Sequence, residues 1–330
     1  RTVAERVEVL KRIQALLVER KQDLMCLVQR VLGKTAREAD GDLCEAIDFV
    51  NLYWRDALDV GDRMTMLDFP GEETYKQIHS LGVVACLSPF NFVAIPVGMM
   101  AAVLVMGNRV VIKPSERNVQ AVKTFCELFW EAGVPRSALH LIISDRASGR
   151  LLGEALVTHP LVRLINFTGS TATGNAIYEM IAKVQPGQKG HKHLIAEMGG
   201  KNPIIVDRDA DLDLVIPAVI HSKFGYGGQK CSAVALVLVH ESLREVFLVK
   251  LREAVLSLKF LGSGARDQVP VVDPEVYYGP LIDVEHASVI RDWKRRAEQT
   301  GRVLLGDRDW AAQEVLESGA MVLPLIVTDV

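Results

Sequence analysis

The sequence predicts an α/β protein with a doubly wound parallel sheet and a second, smaller α/β domain. Two observations predict this fold. From residue 81 onward, short apolar segments rich in β-branched side chains alternate with segments of helical pattern, and such alternation is typical of a parallel sheet with helices on both faces. The chain of 330 residues is also longer than one average domain, so we expect two domains.

Helices come first along the chain. Residues 3–31 and 36–58 place apolar side chains close to helical spacing, with charged residues on the opposite face. Turn residues then surround two short extended pieces over residues 61–80, which predicts a protruding hairpin. The alternating segment follows this hairpin.

The alternating segment predicts a first domain over residues 1–196. Its buried helix has Pro96 in the first turn and Gly107 just after its end, positions that favour these residues. Ligands of such sheets bind beyond the carboxyl ends of the strands, so we expect functional residues there. The expected elements, in order, are strand 81–88, helix 95–106, strand 109–113, helix 119–132, strand 139–143, strand 162–167 and a helix from Thr171.

The remaining residues, 197–330, predict a second domain built from similar elements. It includes a looser segment around Gly262, Gly264 and Pro270. Its expected strands lie at 203–207, 233–240, 302–305 and 321–327, and its expected helices at 211–224, 241–258 and 284–300.

Charge and cysteine content exclude several classes of protein. The chain has 38 Lys and Arg against 41 Asp and Glu, a net charge of −3, which argues against binding to nucleic acid or to an anionic membrane. The longest apolar stretch, Ile95–Met106, is too short to cross a bilayer. Five cysteines without a CxxC pair suit neither a disulfide framework nor a zinc site and favour the reducing cytoplasm. His191 and His193 lack further ligands at zinc spacing, so we expect no metal.

Three polar residues in loops are candidates for catalysis. Cys231 lies in GYGGQKCSA, where glycines let a substrate carbonyl approach a nucleophile; the alternative is a small buried hydrophobic side chain. Glu197, at a strand end before two glycines, is suited to act as a general base or is an exposed loop acid. Asn91, between two phenylalanines, can donate to an oxyanion or cap the next helix.

Two further segments are candidates for binding a nucleotide. Lys113 and Glu116 follow a strand and can hold two ribose hydroxyls, or they belong to a solvated loop closed by a proline. Gly169 and Gly174 form a GxxxxG turn between a strand and a helix, where backbone N–H groups favour a phosphate. The alternative is a plain strand-to-helix turn capped by Ser170 or by the threonine before Gly169.

The order of these motifs resembles the NAD(P)-dependent aldehyde dehydrogenase superfamily over essentially the whole chain. The motifs are SPFNF, VIKPSE, FTGSTATG, EMGGK, GQKCSA and YYGPLID. Within the superfamily, IPVGMMAAVLVMGN, VQPGQ, IAEMGGKN and FGYGGQKCSA are most similar to the Δ1-pyrroline-5-carboxylate dehydrogenases. The resemblance implies a Rossmann-like NAD-binding domain over residues 1–196, a catalytic domain over 197–330, and oligomerisation through the hairpin at 61–80.

The resemblance also implies a role for each candidate. Cys231 matches the nucleophile, its backbone N–H joins Asn91 in the oxyanion hole, and Glu197 matches the general base. Lys113 and Glu116 match the contacts to the adenosine ribose, and the charge of Glu116 favours NAD over NADP by repelling a 2′-phosphate. Further cofactor contacts are expected from Pro89, Phe90, Gly169, Ser170 and Gly199.

The implied reaction is the NAD-dependent oxidation of L-glutamate γ-semialdehyde to L-glutamate in proline catabolism, through a cysteine thiohemiacetal and a thioester. The expected partners are this aldehyde and, in the complete protein, further copies of the chain. The E-x-F-G-P segment of the superfamily does not follow Cys231, so we expect an incomplete piece with little or no activity of its own. Two alternatives stay open: another aldehyde dehydrogenase, including a coenzyme-A-acylating one, and a non-catalytic nucleotide-binding scaffold.

Overall fold

The computed structural model describes residues 2–61, 64–67, 69–261, 273, 275–311 and 319–329. The chain divides into two compact units. The first contains Arg1–Val31 and Asp40–Met198, and the second contains Leu32–Ala39 and Gly199–Val330. The division after Met198 lies two residues beyond the boundary expected from the sequence. The short segment Leu32–Ala39 belongs to the second unit although it precedes most of the first, a feature that helical periodicity does not reveal.

The helical pattern over residues 3–31 forms two helices, divided at Arg20. The helices before the sheet are α1 (Val3–Glu19), α2 (Lys21–Leu32) and α3 (Ala36–Val60). On α1, the guanidinium groups of Arg6 and Arg12 donate to the carbonyls of Val105 (2.5 Å) and Ala132 (2.9 Å). Cations are favoured at helix carboxyl ends. These contacts therefore anchor α1 to the ends of two later helices, Ala94–Val105 and Val119–Glu131.

A short hairpin follows α3. Its strands, β1 (Met64–Thr65) and β2 (Tyr75–Lys76), are antiparallel. Beyond this two-residue ladder, the backbone N–H of Met66 donates to the carbonyl of Thr74 at 2.9 Å. Residues 62, 63 and 68 of the expected hairpin lie outside the described residues.

Parallel strands form the sheet of the first unit. They are β3 (Val83–Ser88), β4 (Arg109–Pro114), β5 (Leu139–Leu141), β6 (Val162–Gly169) and β7 (His193–Met198). Their spatial order is β5-β4-β3-β6-β7, with every neighbouring pair parallel. The chain therefore moves outward from β3 through β4 and β5 and then returns to the other side of β3 with β6. The predicted parallel α/β fold is confirmed.

The helices of this unit connect its strands. They are α4 (Ala94–Val105), α5 (Val119–Glu131), α6 (Gly149–Thr158) and α7 (Thr171–Ala182). Most of α4 is buried, as its nearly continuous apolar sequence predicts. The sequence did not predict α6, because Gly149 and Gly153 weaken its helical signal.

The second unit has shorter sheets. Its strands are β8 (Asn202–Val206), β9 (Val234–Val239), β10 (Lys259–Phe260), β11 (Val276–Tyr278), β12 (Arg302–Leu305) and β13 (Ile326–Thr328). The pairs β8–β9 and β10–β11 are parallel, and β12–β13 is antiparallel. Its helices are α8 (Leu212–Phe224), α9 (Arg244–Leu256), α10 (Val284–Thr300) and α11 (Asp307–Ala311).

Aromatic side chains form much of the core of the second unit. Trp310 is fully buried, and its indole N–H donates to the carbonyl of Pro324 at 2.9 Å. The ring of Phe260 meets those of Tyr278 and Trp310 edge to face. The expected helix over 241–258 begins as a 3-10 turn at Glu241–Leu243 before α9. The segment expected around Gly262, Gly264 and Pro270 lies outside the described residues.

Candidate active site

The carboxyl ends of the parallel strands meet at one edge of the first unit's sheet. The register pairs Ser88 at the end of β3 with Pro114 of β4, and Gly169 of β6 with Met198 of β7. The strand order reverses between β3 and β6, and this is where doubly wound sheets bind their ligands. Asn91, Glu116, Gly169 and Glu197 all lie at or just beyond these strand ends.

The carboxylate of Glu116 is fixed at this edge by two donors. Its Oε1 accepts from Nζ of Lys113 at 2.9 Å and from Oγ of Ser144 at 3.1 Å. Burial alone would raise the pKa of Glu116, but the hydrogen bond and charge of Lys113, together with Ser144, lower it below its ordinary value. Glu116 is therefore ionised at neutral pH. Lys113 is buried, so the pair is not the solvated loop that the sequence alone allows.

Two small residues complete this pair and were missed by the sequence reasoning. Ser144 lies 28 positions beyond Glu116. Gly149 begins α6 beneath the same carboxylate, and a Cβ there would lie 2.1 Å from Oε1 of Glu116. Neither residue belongs to a local motif, so no sequence signal identified them.

The turn from β6 to α7 is capped by Ser170. Its Oγ accepts from the backbone N–H of Thr173 at 3.2 Å, as in the interpretation of a capped strand-to-helix turn. The glycines serve close packing: a Cβ at Gly169 would lie 2.6 Å from the ring of Phe167, and one at Gly174 would lie 2.5 Å from Sδ of Met198. Residues 170–173 at the start of α7 are exposed, which suits a phosphate at a helix amino end.

The loop between β3 and α4 carries Asn91, and a distant carboxylate holds its end. Both oxygens of Asp42, on α3, accept from the N–H of Val93 (3.1 and 3.0 Å), and Oδ1 also accepts from the N–H of Ala94 (2.9 Å). Val93 is the N-cap of α4 and has no side-chain cap of its own. The capping role that sequence reasoning left open for Asn91 is therefore performed by Asp42. Pro89, Phe90 and Asn91 are half-buried in this loop.

Asp42 was missed, although the sequence contained a signal. It is 2% exposed and lies on the apolar face of α3 beside Leu43 and Ala39. An acid at a buried helical position requires partners. A polar residue on an otherwise apolar helical face therefore indicates a long-range contact, without naming the partner.

Glu197 lies on the outermost described strand of this sheet. Along β7 the side chains alternate between exposed and half-buried, and Glu197 is exposed. Gly199 begins the longer segment of the second unit, and a Cβ there would meet no atom within 4 Å. An exposed carboxylate at a strand end is compatible both with a general base and with the interpretation as a loop acid.

Cys231 differs from the two buried cysteines. It is exposed, whereas Cys86 and Cys126 are buried, and burial raises the pKa of each of these two thiols to about 12. Cys26 and Cys44 are half-buried. The interpretation of Cys231 as a small buried hydrophobic side chain is therefore wrong. The carbonyl of Cys231 accepts from Nδ2 of Asn202 at 2.8 Å, which ties its loop to the start of β8.

The candidate catalytic residues are distributed over both units. Asn91 and Glu197 belong to the first unit, and Cys231 belongs to the second.

Within the described part of the chain, no helix is long and apolar enough to cross a membrane. The same residues contain no group of three or more His, Cys, Asp or Glu arranged to hold a metal ion.

A family model described as "Aldehyde dehydrogenase family" matches residues 1–330. The chain belongs to this family. Among curated relatives, 1-pyrroline-5-carboxylate dehydrogenase of Bacillus subtilis (strain 168) is 36% identical over 326 residues, which cover 98% of this chain and 60% of that protein. The enzyme of the same name from Geobacillus sp. (strain WCH70) is 38% identical over 302 residues, 91% of this chain and 56% of that protein. The predicted resemblance to this subfamily is confirmed.

Solved structures that match this chain show the same fold. Proline utilization A from Bdellovibrio bacteriovorus, inactivated by N-propargylglycine, matches with a TM-score of 0.91 and 34% identity over 100% of this chain and 33% of that one. The Thermus 1-pyrroline-5-carboxylate dehydrogenase with bound NAD matches with a TM-score of 0.88 and 31% identity, over 99% of this chain and 60% of that one. The chain thus spans about 60% of the length of the Bacillus subtilis and Thermus 1-pyrroline-5-carboxylate dehydrogenases.

Proposed function

We propose that this chain is the larger part of an NAD-dependent dehydrogenase that oxidises L-glutamate γ-semialdehyde, the open form of Δ1-pyrroline-5-carboxylate, to L-glutamate. The observation that carries the proposal is the exposed thiol of Cys231 on a glycine-rich loop. The relatives named 1-pyrroline-5-carboxylate dehydrogenase support the choice of aldehyde.

In the proposed mechanism the thiolate of Cys231 attacks the aldehyde carbon. A carbon–sulfur bond forms, and the carbonyl π electrons move to oxygen, giving a thiohemiacetal oxyanion. The side-chain amide of Asn91 and the backbone N–H of Cys231 donate to this oxygen, and such donors are typically worth about 3 kcal/mol each. Loss of a hydride from the former aldehyde carbon, which a bound nicotinamide dinucleotide would accept, converts this thiohemiacetal into a thioester. Glu197 then takes a proton from a water molecule, which attacks the thioester and releases the acid and the Cys231 thiolate.

The residues of the first unit fit a nicotinamide dinucleotide. The ionised carboxylate of Glu116 and the ammonium of Lys113 lie together at the binding edge, suited to accept from and donate to ribose hydroxyls. Gly169 and Ser170 leave the start of α7 open for the pyrophosphate. Once bound, NAD supplies the two-electron oxidant of the reaction. The charge of Glu116 disfavours a 2′-phosphate, so we propose NAD rather than NADP, with Pro89, Phe90 and Gly199 as further contacts.

We also propose that the complete protein is a homo-oligomer and acts in the cytoplasm. The hairpin segment carries exposed apolar side chains, with Leu67 90% and Phe69 69% exposed, and exposed apolar clusters mark interaction surfaces. All five cysteines are free thiols, which suits a reducing compartment. Sedimentation of L67D/F69D beside the unchanged protein tests the first point: the variant should sediment as a smaller species.

The reaction is tested by following NADH formation in the protein at its natural length. We expect oxidation of L-glutamate γ-semialdehyde, and a fall in kcat of at least about a thousandfold in Cys231→Ser. The matched control is Cys26→Ser, which changes a half-buried thiol and should leave kcat unchanged. A requirement for coenzyme A would indicate an acylating relative. Binding of NAD without oxidation of any aldehyde would indicate a scaffold, and either result would overturn the proposal.

A further inference from the structure

The loop before Cys231 has an unusual backbone conformation. Three consecutive residues adopt the left-handed region: Tyr226 (φ 52°, ψ 37°), Gly227 (φ 60°) and Gly228 (φ 75°). Glycine adopts this region freely, but a residue with a Cβ does so only at a cost in free energy. Tyr226 must therefore be held by its surroundings, since such strained positions persist only when neighbouring contacts determine them.

The segment Leu32–Ala39 supplies these contacts from far away in sequence. Tyr226 is 2% exposed, and its hydroxyl donates to the carbonyl of Leu32 at 2.8 Å. The ammonium of Lys34 lies 4.8 Å from the centre of its ring, a cation–π distance. The backbone N–H of Tyr226 donates to Oε1 of Glu38. Side chain and backbone of this one residue are thus bound by the same short segment.

The carboxylate of Glu38 is itself fixed by the start of α3. Its Oε2 accepts from the N–H of Thr35 at 3.0 Å, and its own N–H donates to Oγ1 of Thr35 at 3.3 Å. This reciprocal pair is a capping box. One oxygen of Glu38 therefore serves the helix, and the other is presented to Tyr226.

The carbonyl of Tyr226 is bound by a residue close to Cys231 in the sequence. The carbonyl of Tyr226 accepts from the backbone N–H (3.1 Å) and from Nε2 (3.0 Å) of Gln229. Oε1 of Gln229 accepts from the N–H of Ile282 at 2.9 Å. A continuous set of hydrogen bonds therefore runs from Glu38 through Tyr226 to Gln229, which stands two residues before Cys231.

We propose that Glu38 is a positioning residue for Cys231, acting through Tyr226. The carboxylate of Glu38 holds Tyr226 in the left-handed conformation, and Tyr226 and Gln229 then fix where the Cys231 loop begins. This inference rests on the proposed role of Cys231 as nucleophile. It assigns to the segment Leu32–Ala39 a function in the second unit that its helical sequence pattern does not suggest.

Hydrogen exchange on the 330-residue chain tests the contact itself. In Glu38→Ala, the amides of residues 226–231 should exchange about tenfold faster, because hydrogen bonds to a charged acceptor are lost. The matched control is Thr35→Ala, which breaks the other half of the capping box but leaves the contact between Glu38 and Tyr226. Its amides 226–231 should exchange within about threefold of the wild-type rate. Equal acceleration in both variants would reduce Glu38 to a helix cap and overturn the proposal.

Turnover by the protein at its natural length tests the effect on the thiol. We expect kcat to fall about tenfold in Glu38→Ala with KM nearly unchanged, since the chemical step and not binding depends on the position of Cys231. Glu38→Gln keeps an acceptor for Tyr226 and should restore most of kcat, which a loss of overall folding would not allow. An unchanged kcat in Glu38→Ala would contradict the proposal. An inactive wild-type protein would instead contradict the proposed function, and the exchange comparison would still decide whether Glu38 holds the loop.

Discussion

The proposed nucleotide-binding edge, around Lys113 and Glu116, and the loop before Cys231 are held in place by contacts of different range. At the edge, Lys113 and Glu116 are three residues apart and bind each other directly. In the loop, Tyr226 is bound by Glu38 and Leu32, which lie 188 and 194 positions away. A contact between residues three positions apart closes a short loop, whereas a contact across nearly 200 positions closes a long one at a greater cost in chain entropy.

This difference explains why some of the candidate site was visible in the sequence and some was not. The strands and helices that carry Asn91, Lys113, Gly169 and Glu197 follow from apolar periodicity and from glycine and proline at helix ends, because these signals act over a few residues. The positions of Glu38, Asp42 and Ser144 depend on partners in other elements. Periodicity contains no information on such partners, so these residues could not be assigned from one sequence.

The largest expected effect comes from substitution of Asp42, which makes long-range contacts within the first unit as Glu38 does within the second. Asp42 accepts three hydrogen bonds from the N–H groups of Val93 and Ala94, which lie 51 and 52 positions away in the sequence. In Asp42→Asn the charge is lost and an amide N–H faces backbone N–H groups. We expect the free energy of unfolding to fall by about 2–3 kcal/mol, measured by urea denaturation.

The matched control for this variant is Asp40→Asn. Asp40 lies two residues away and pairs with Lys21 at 2.6 Å, but its side chain is 48% exposed. Exposed ion pairs contribute about 0–1 kcal/mol, so this variant should be nearly as stable as the wild type. Equal losses of unfolding free energy in the two variants would mean that the hydrogen bonds of Asp42 contribute no more stability than an exposed ion pair.

Substitution of Gly149 is expected to have the next largest effect, and its change is confined to the proposed nucleotide-binding edge. In Gly149→Ala the new Cβ would overlap Oε1 of Glu116, at 2.1 Å, and would displace the carboxylate from Lys113 and Ser144. We expect the affinity for NADH to fall about tenfold, the equivalent of one charge-assisted hydrogen bond. Titration of NADH fluorescence on the 330-residue chain measures it without requiring turnover.

Gly153→Ala is the control for this substitution. Gly153 lies on the same helix, α6, and a Cβ there meets no atom within 4 Å. The change should leave NADH affinity unaltered and stabilise α6 slightly, by up to about 1 kcal/mol. A tenfold loss of affinity in this variant as well would show that α6, rather than the position of Glu116, controls binding.

The smallest expected effect is the pH dependence of the pair of Lys113 and Glu116. The pKa of Glu116 is lower in the folded protein than its ordinary value, so its contribution to stability is complete above about pH 5 and is lost as the pH falls through the folded pKa. Because Gln keeps an acceptor for Lys113 and Ser144, the difference in free energy of unfolding between wild type and Glu116→Gln should be about 1 kcal/mol at neutral pH and shrink towards zero in acid. Lys123 and Glu127 form a comparable local pair whose side chains are 53% and 50% exposed, and Glu127→Gln should change stability little at any pH. A difference for Glu116 that does not vary with pH would mean that its charge contributes nothing, and that packing against Gly149 alone holds this edge.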